Sequence, residues 1–468
     1  MWWSGFLIIL VIWETTSIEN PLRNAYPRKS PLSVVGDVGK RLILTPYIES
    51  GKIEEARNLS AISGDPFPSD TPSYSGFLTV NKTYNSNLFF WYFPAENGYE
   101  TAPLLLWLQG GPGHSSLFGL FAELGPFFVE KDNMTLVKNP YSWHKNHSII
   151  FIDNPNVFTD TSFSFTENEA GYATEQVQVG DELYTAMTQF LTLFPELQKV
   201  PFYITGESYG GKYVPSLGYT IHQRNPTSKF KINLEGLAVG NGLTDPISIL
   251  HQSEYVYQLG LVDTNTFKIM RGVEECGVKA IQDGKIEEAY PIGMADSSIF
   301  STASHFTYTY NFLYSDPPET EGDYTEFVQN TKVRKAIHVG DAEYSDYGTV
   351  YTKMIPDMMN SARPQLEVLL DNYKVLYYSG QMDIIVPYPL SERMYNTLEF
   401  RAAQEYRKAQ RYAWKVDGEL AGYMKSAGNF TEVLVRKAGH MVPVEQPKFA
   451  FDLINRFTSD NLVKSDNS

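Results

Sequence analysis

Thr205-Gly206-Glu207-Ser208-Tyr209-Gly210-Gly211 follows directly on the apolar run Phe202-Tyr203-Ile204. A G-x-S-x-G pentapeptide placed after a strand and before a helix is the pattern of a nucleophile elbow. There the serine sits on a strained strand-to-helix turn. Glycines beside it remove the Cβ atoms that would clash. The stretch therefore nominates Ser208 as a nucleophile and sets it on an α/β architecture.

Outward from this stretch, short apolar or aromatic runs bounded by turn residues recur as strand candidates. They are Tyr74–Val80, Leu88–Phe93, Leu104–Leu108, Ile149–Ile152, Leu234–Val239, Val375–Tyr378 and Glu432–Arg436. Helical patterns lie between several of them. Leu183, Met187, Phe190, Leu191 and Phe194 recur at three- to four-residue spacing and share one face. Strand–helix alternation with apolar central strands implies a mostly parallel sheet covered by helices on both faces. Residues 246–355 break the rhythm with a Tyr-, Ser-, Thr- and acid-rich stretch and read as an inserted cap. Within them Ser248–Leu261 has a helical pattern and Phe300–Tyr314 reads as cap core. Residues 18–245 and 356–468 then form the two parts of the core, and Arg401–Lys415 reads as a charged, solvated helix.

A serine hydroxyl needs a base, and the base needs a carboxylate. At an elbow of this kind the three follow in the order Ser, Asp, His. Asp383 stands just past the strand candidate ending at Tyr378, and His440 just past the last one. Of eight histidines, only His440 follows both Ser208 and Asp383. The negative oxygen formed on attack needs two backbone N–H donors. Tyr209, after the nucleophile, supplies one, and the loop Gln109-Gly110-Gly111-Pro112-Gly113 after Leu104–Leu108 supplies the other.

Composition bounds the rest. The 468 residues are 43% hydrophobic, 14% aromatic and 20% charged, a globular balance with ample material for a core. A net charge of −16 makes a poor partner for nucleic acid or anionic membrane. Phe6–Trp13 fits the apolar segment of a signal peptide, with Thr15 and Ser17 suited to a cleavage site after residue 17, although no Lys or Arg precedes the run. No later stretch reaches the length of a membrane-spanning helix. Sequons at Asn58, Asn81, Asn133, Asn146 and Asn429 agree with export to a secreted or lysosomal destination. The single Cys276 excludes an internal disulfide. His144 and His147 stand three apart without an acid or Cys partner at zinc spacing. No dinucleotide or phosphate-loop signature occurs, so neither a metal nor a cofactor is expected.

Several segments together resemble the serine carboxypeptidases, peptidase family S10. They are Trp107–Ser116 (WLQGGPGHSS), Gly119–Phe127 (GLFAELGPF), Ile152–Pro155 (IDNP), Thr205–Pro215 (TGESYGGKYVP), Val239–Pro246 (VGNGLTDP), Tyr377–Pro387 (YYSGQMDIIVP) and Lys437–Pro447 (KAGHMVPVEQP). Gly76–Ala95 and the glutamine at 109 are similar to the vitellogenic carboxypeptidase-like branch. The resemblance implies an α/β-hydrolase fold with a largely helical cap, and removal of single C-terminal residues from peptides or proteins at acidic pH. It implies a triad of Ser208, Asp383 and His440, with oxyanion donors at the Gly111 and Tyr209 amides. The substrate carboxylate would meet Trp107, Gln109, Gly110, Glu123 and Glu207. Two glutamates at one site cannot easily both ionise, so at least one should hold a proton and donate it to that carboxylate.

Three departures from the family stand out. Gln109 replaces the commoner Asn, and His114 replaces a cysteine that is disulfide-bonded in many members. In Asn156–Ser162 the usual glycines are missing and residues are added. An acyltransferase using the same acyl-enzyme, or a secreted binding or storage protein keeping only the fold, remain as alternatives. P1 preference and a homodimer are left open.

Overall fold

Runs that are apolar on consecutive residues become strands buried on both faces, as parallel sheets require. The computed structural model describes residues 36–132, 134–155, 162–318, 323–342, 344 and 348–462. The signal peptide at 1–17, the Asn133 sequon and all of the altered loop except Ser162 lie outside them. In chain order the strands are β1 (Ala61–Ile62), β2 (Ser73–Asn81), β3 (Ser86–Phe93), β4 (Leu104–Leu108), β5 (Phe127–Val129), β6 (Leu136–Lys138), β7 (Ser148–Ile152), β8 (Phe202–Glu207), β9 (Leu234–Gly240), β10 (Lys374–Gly380), β11 (Tyr412–Val416), β12 (Glu419–Ala427) and β13 (Phe430–Val435). Among the described residues, β5 and β6 pair apart. The other eleven join in the order β1-β2-β3-β7-β4-β8-β9-β10-β13-β12-β11. The middle six, β7 to β13, run parallel. Antiparallel strands extend both ends.

The strand period of two divides the core between the sheet's faces. Leu104, Leu106 and Leu108 of β4 pack with helices Gln176–Leu193 and Gly210–Arg224. Leu105 and Trp107 join the opposite cluster with helix Pro447–Thr458. Leu183, Met187, Phe190, Leu191 and Phe194 are all buried. Helices Gln252–Gln258, Thr264–Gln282 and Ile286–Ser304 gather a separate small cluster around Val256, Met270 and Phe300. Farther along, Phe327, Val328 and Val333 of helices Tyr324–Gln329 and Thr331–Ala336 enter the core cluster that holds Trp91. The pattern over Ser248–Leu261 forms two short helices, Pro246–Ile249 and Gln252–Gln258. Among the described residues no helix is long and apolar enough to cross a membrane.

One expectation fails. Arg401–Lys415 is a helix only over Ala403–Lys408, and Tyr412–Val416 is a strand. Asp417 and Gly418, at φ of 48° and 81°, turn it into β12 as a two-residue hairpin. An Asp-Gly pair suits that left-handed turn, and the alternation of exposed and buried residues along Tyr412–Val416 belongs to a half-buried edge strand. Among the sequons, Asn58 and Asn429 are exposed and Asn81 and Asn146 half-buried. The Asn146 Nδ2, the atom a glycan would take, donates to Asn455. Cys276 is a free, exposed thiol.

Candidate active site

Strands β4, β8, β9, β10 and β13 are neighbours, run the same way and end on one edge of the sheet. Ligands gather at that edge in open α/β sheets. Each strand passes a polar or glycine residue to it: Gln109 to Gly111 after β4, Glu207 and Ser208 at the end of β8, Asn241 after β9, Asp383 after β10 and His440 after β13.

Ser208 has φ of 59°, a left-handed conformation that strains a residue bearing a Cβ by about 1–3 kcal/mol. Its surroundings hold it there. The Ser208 N–H donates to the Gly240 carbonyl at 3.0 Å, and its own carbonyl accepts from Leu243 at 2.8 Å and from Gly211 at 2.9 Å. Gly110 faces this turn. A Cβ added there would stand 2.6 Å from Ser208 Cβ and 2.7 Å from the Tyr209 amide nitrogen. Only a glycine leaves that amide open. The Tyr209 phenol is fastened elsewhere, donating to Asp357 Oδ2 at 2.5 Å. That oxygen also accepts from Gln176 at 2.7 Å, and it pairs with the fully buried Lys212 ammonium at 3.3 Å. Burial pulls the Lys212 pKa down to about 8 against the attraction of Asp357.

His440 is fully buried, with Nδ1 at 2.7 Å from Asp383 Oδ2. The same oxygen accepts from Asn241 Nδ2 at 2.7 Å and from the Val386 amide at 3.2 Å. Oδ1 accepts from Ile385 at 2.8 Å. A carboxylate so fully supplied with donors is held in place and orients the ring with its proton on Nδ1. Nε2 is left without a hydrogen bond, available to a reacting group. Tyr310 closes over the ring edge-on at 4.6 Å between centroids, and its carbonyl accepts the His440 N–H at 2.7 Å. The Phe300–Tyr314 segment thus reaches the site and is more than cap core.

Glu207 immediately precedes Ser208, and the chain brings Glu123 to it. Glu123 ends a single π-helical turn, Gly119–Glu123, a form frequent at functional sites. Gln109 Nε2 bridges the pair, donating to Glu123 Oε1 at 3.1 Å and Glu207 Oε1 at 3.2 Å. Its Oε1 accepts from the Trp107 indole at 2.8 Å, so the amide is fixed in orientation. All four side chains are buried. Burial raises the Glu123 pKa to about 8, and burial with the neighbouring Glu123 charge raises Glu207 well above its ordinary value. Each leaves Oε2 without a donor, which a proton shared between the two carboxyls accounts for.

Residues to which the sequence assigned no role at the site complete the frame. Asp153, buried and raised to about 6, accepts from Ser115 Oγ at 2.7 Å and the Ser116 amide at 2.9 Å on one oxygen. The other accepts from the Phe163 amide at 3.0 Å, so Asp153 binds the glycine loop to the chain beyond the altered segment. His114, buried and lowered to about 3, lies against Gly111. Asn241 was detectable as a polar residue just past a buried strand; Asp357 carries no local signal.

A mostly parallel sheet with helices on both faces and a serine elbow at its C-terminal edge defines an α/β-hydrolase. A model of the family described as serine carboxypeptidase matches residues 64–460. The chain is 47% identical to the venom serine carboxypeptidase of Apis mellifera, over 97% of this chain and 98% of that one. It is 46% identical to the vitellogenic carboxypeptidase of Aedes aegypti, over 92% of each. The crystal structure of Kex1(delta)p, a prohormone-processing carboxypeptidase from Saccharomyces cerevisiae, superposes with a TM-score of 0.76 at 22% identity, covering 86% of this chain and 96% of that one. The chain belongs to the serine carboxypeptidase family and is a serine-type carboxypeptidase acting on peptides.

Proposed function

We propose that Ser208, His440 and Asp383 release the last residue of a peptide through an acyl-enzyme. The Ser208 hydroxyl attacks the final peptide carbonyl while His440 Nε2 takes its proton, and Asp383 steadies the imidazolium. The Gly111 and Tyr209 amides receive the oxyanion. His440 then protonates the departing amine, and a water, deprotonated by the same nitrogen, hydrolyses the ester and restores Ser208.

The buried carboxyl pair beside the nucleophile carries the assignment to C-termini. Trp107, Gln109, Gly110, Glu123 and Glu207 would receive the substrate's terminal carboxylate, with a protonated glutamate as donor. Deprotonation of the pair would turn attraction into repulsion, so acidic pH favours binding. The Phe6–Trp13 run supports entry into the secretory pathway, for secretion or lysosomal delivery.

The test incubates purified protein with a blocked dipeptide and follows the free C-terminal amino acid, with Ser208→Ala alongside. Release by the native protein and its loss in the variant is the expected result. Transfer of the acyl group to an added alcohol in preference to water would identify an acyltransferase. Binding without turnover would identify a carrier.

A further inference from the structure

A cavity of about 970 Å³, counted out to open solvent, reaches Ser208 but not the carboxyl pair. Gly111, Ser208 and Tyr209 belong to its wall, and Trp107, Gln109, Glu123 and Glu207 do not. Leu243, Leu250, Met294, Met358 and Val386 make most of the remainder apolar. A substrate whose terminal carboxylate rests on Glu123 and Glu207 has its acyl half at Ser208 and away from that pair. The cavity therefore faces the side chain of the penultimate residue.

Its wall holds one acid. Asp296 projects from helix Ile286–Ser304, is 4% exposed, and its buried Oδ1 takes no hydrogen bond. A buried polar atom left without a partner needs an explanation, and here it lines a cavity that opens onto the nucleophile. The other acid acting on it is Glu274, whose oxygens are both occupied by Ser253, through its amide and its hydroxyl. No Lys or Arg lines the cavity among the described residues. Burial and the Glu274 charge hold the Asp296 carboxyl well above its ordinary range. An arriving cation would reverse that and ionise it. The apolar wall suits the methylene stem of a long basic side chain.

We propose that this cavity receives the penultimate side chain and that Asp296 makes it select lysine or arginine there. The inference rests on the carboxypeptidase reading with Ser208 as nucleophile.

The experiment compares kcat/KM for blocked dipeptides carrying lysine, arginine or norleucine at the penultimate position and one common C-terminal residue. Native protein is expected to prefer lysine and arginine over norleucine by about tenfold or more, the scale of a hydrogen bond to a charged group. Asp296→Asn should shrink that ratio about tenfold, and Asp296→Glu should restore a basic preference. Equal or better cleavage of the norleucine substrate by the native protein, or an undiminished ratio in Asp296→Asn, overturns the inference and leaves the carboxypeptidase reading standing. The native comparison decides even where a variant fails to fold. Release from none of the substrates overturns that reading and this inference with it.

Discussion

Asn241 and Asp383 are joined by a 2.7 Å hydrogen bond from the end of one parallel strand to the loop after the next. The bond lands on the oxygen that holds His440. The Asn241 side-chain oxygen accepts from the Gly380 amide at 3.1 Å, so the amide cannot turn. One residue earlier, Gly240 accepts the Ser208 N–H. Ser208 and the Asp383–His440 pair are thereby registered to each other through two consecutive residues, the last of β9 and the one that follows it.

Asn241→Ala removes a charge-assisted bond worth about 1.5–3 kcal/mol. A fall in kcat of about 10- to 100-fold is expected, with KM nearly unchanged, in steady-state kinetics on a blocked dipeptide. A variant with native kcat would show that the Asp383 orientation does not depend on this contact.

The Glu123–Glu207 pair sets a pH dependence whose sign is fixed by direction alone. In the proposed role substrate binding needs the protonated pair, so KM should rise as pH climbs towards about 8, where Glu123 loses its proton. Glu207→Gln keeps a donor without the charge and should flatten the KM–pH profile; a profile as steep as the native one counts against the role. Stability follows the same protons. The folded Glu123 titrates near 8 and the unfolded one near 4.5, so its contribution is complete below about 4.5 and is lost as pH rises to about 8. Thermal denaturation of the native protein should move to lower temperature over that window, and less so in Glu123→Gln.

Gly110→Ala places a methyl group against the Tyr209 amide and the Ser208 side chain. The loss of one oxyanion donor lowers kcat about 100- to 1,000-fold. Circular dichroism should report an unchanged secondary structure. Wild-type turnover in this variant would mean that the developing oxyanion lies elsewhere.

Lys212→Met leaves Asp357 buried with its charge uncompensated. Breaking a buried pair in this way destabilises by about 3–5 kcal/mol, readable by urea denaturation. Adding Asp357→Asn should recover part of the loss, since an amide is less demanding to bury than a carboxylate. No recovery in the double variant would mean that the charge is not what matters.

The middle of the sheet was legible because strands buried on both faces carry unbroken apolar runs, as in Leu104–Leu108 and Ser148–Ile152. The β11–β12 hairpin was not, since its first strand alternates exposed and buried residues among charged neighbours; the Asp-Gly pair at 417–418 was the signal to read. At the site, Ser208 could be named from local pattern, whereas Glu207 followed only from the family resemblance. Asp357 becomes visible only through tertiary contact, 148 residues from the Tyr209 phenol it anchors. Asp296 escaped for a similar reason, because a lone acid in a long helix looks solvated until its environment is known.

Trp107 stands edge-on to Trp143, 5.6 Å between ring centroids, and both are buried. Trp107 also donates to the Gln109 amide that bridges the two glutamates, so buried rings back the carboxyl pair. A groove would let a long chain lie across the serine and be cut anywhere along its length. With the terminal carboxylate on the two glutamates as proposed, such a backing would admit only a loose end, measure one residue from it, and have to be emptied before the shortened chain could advance.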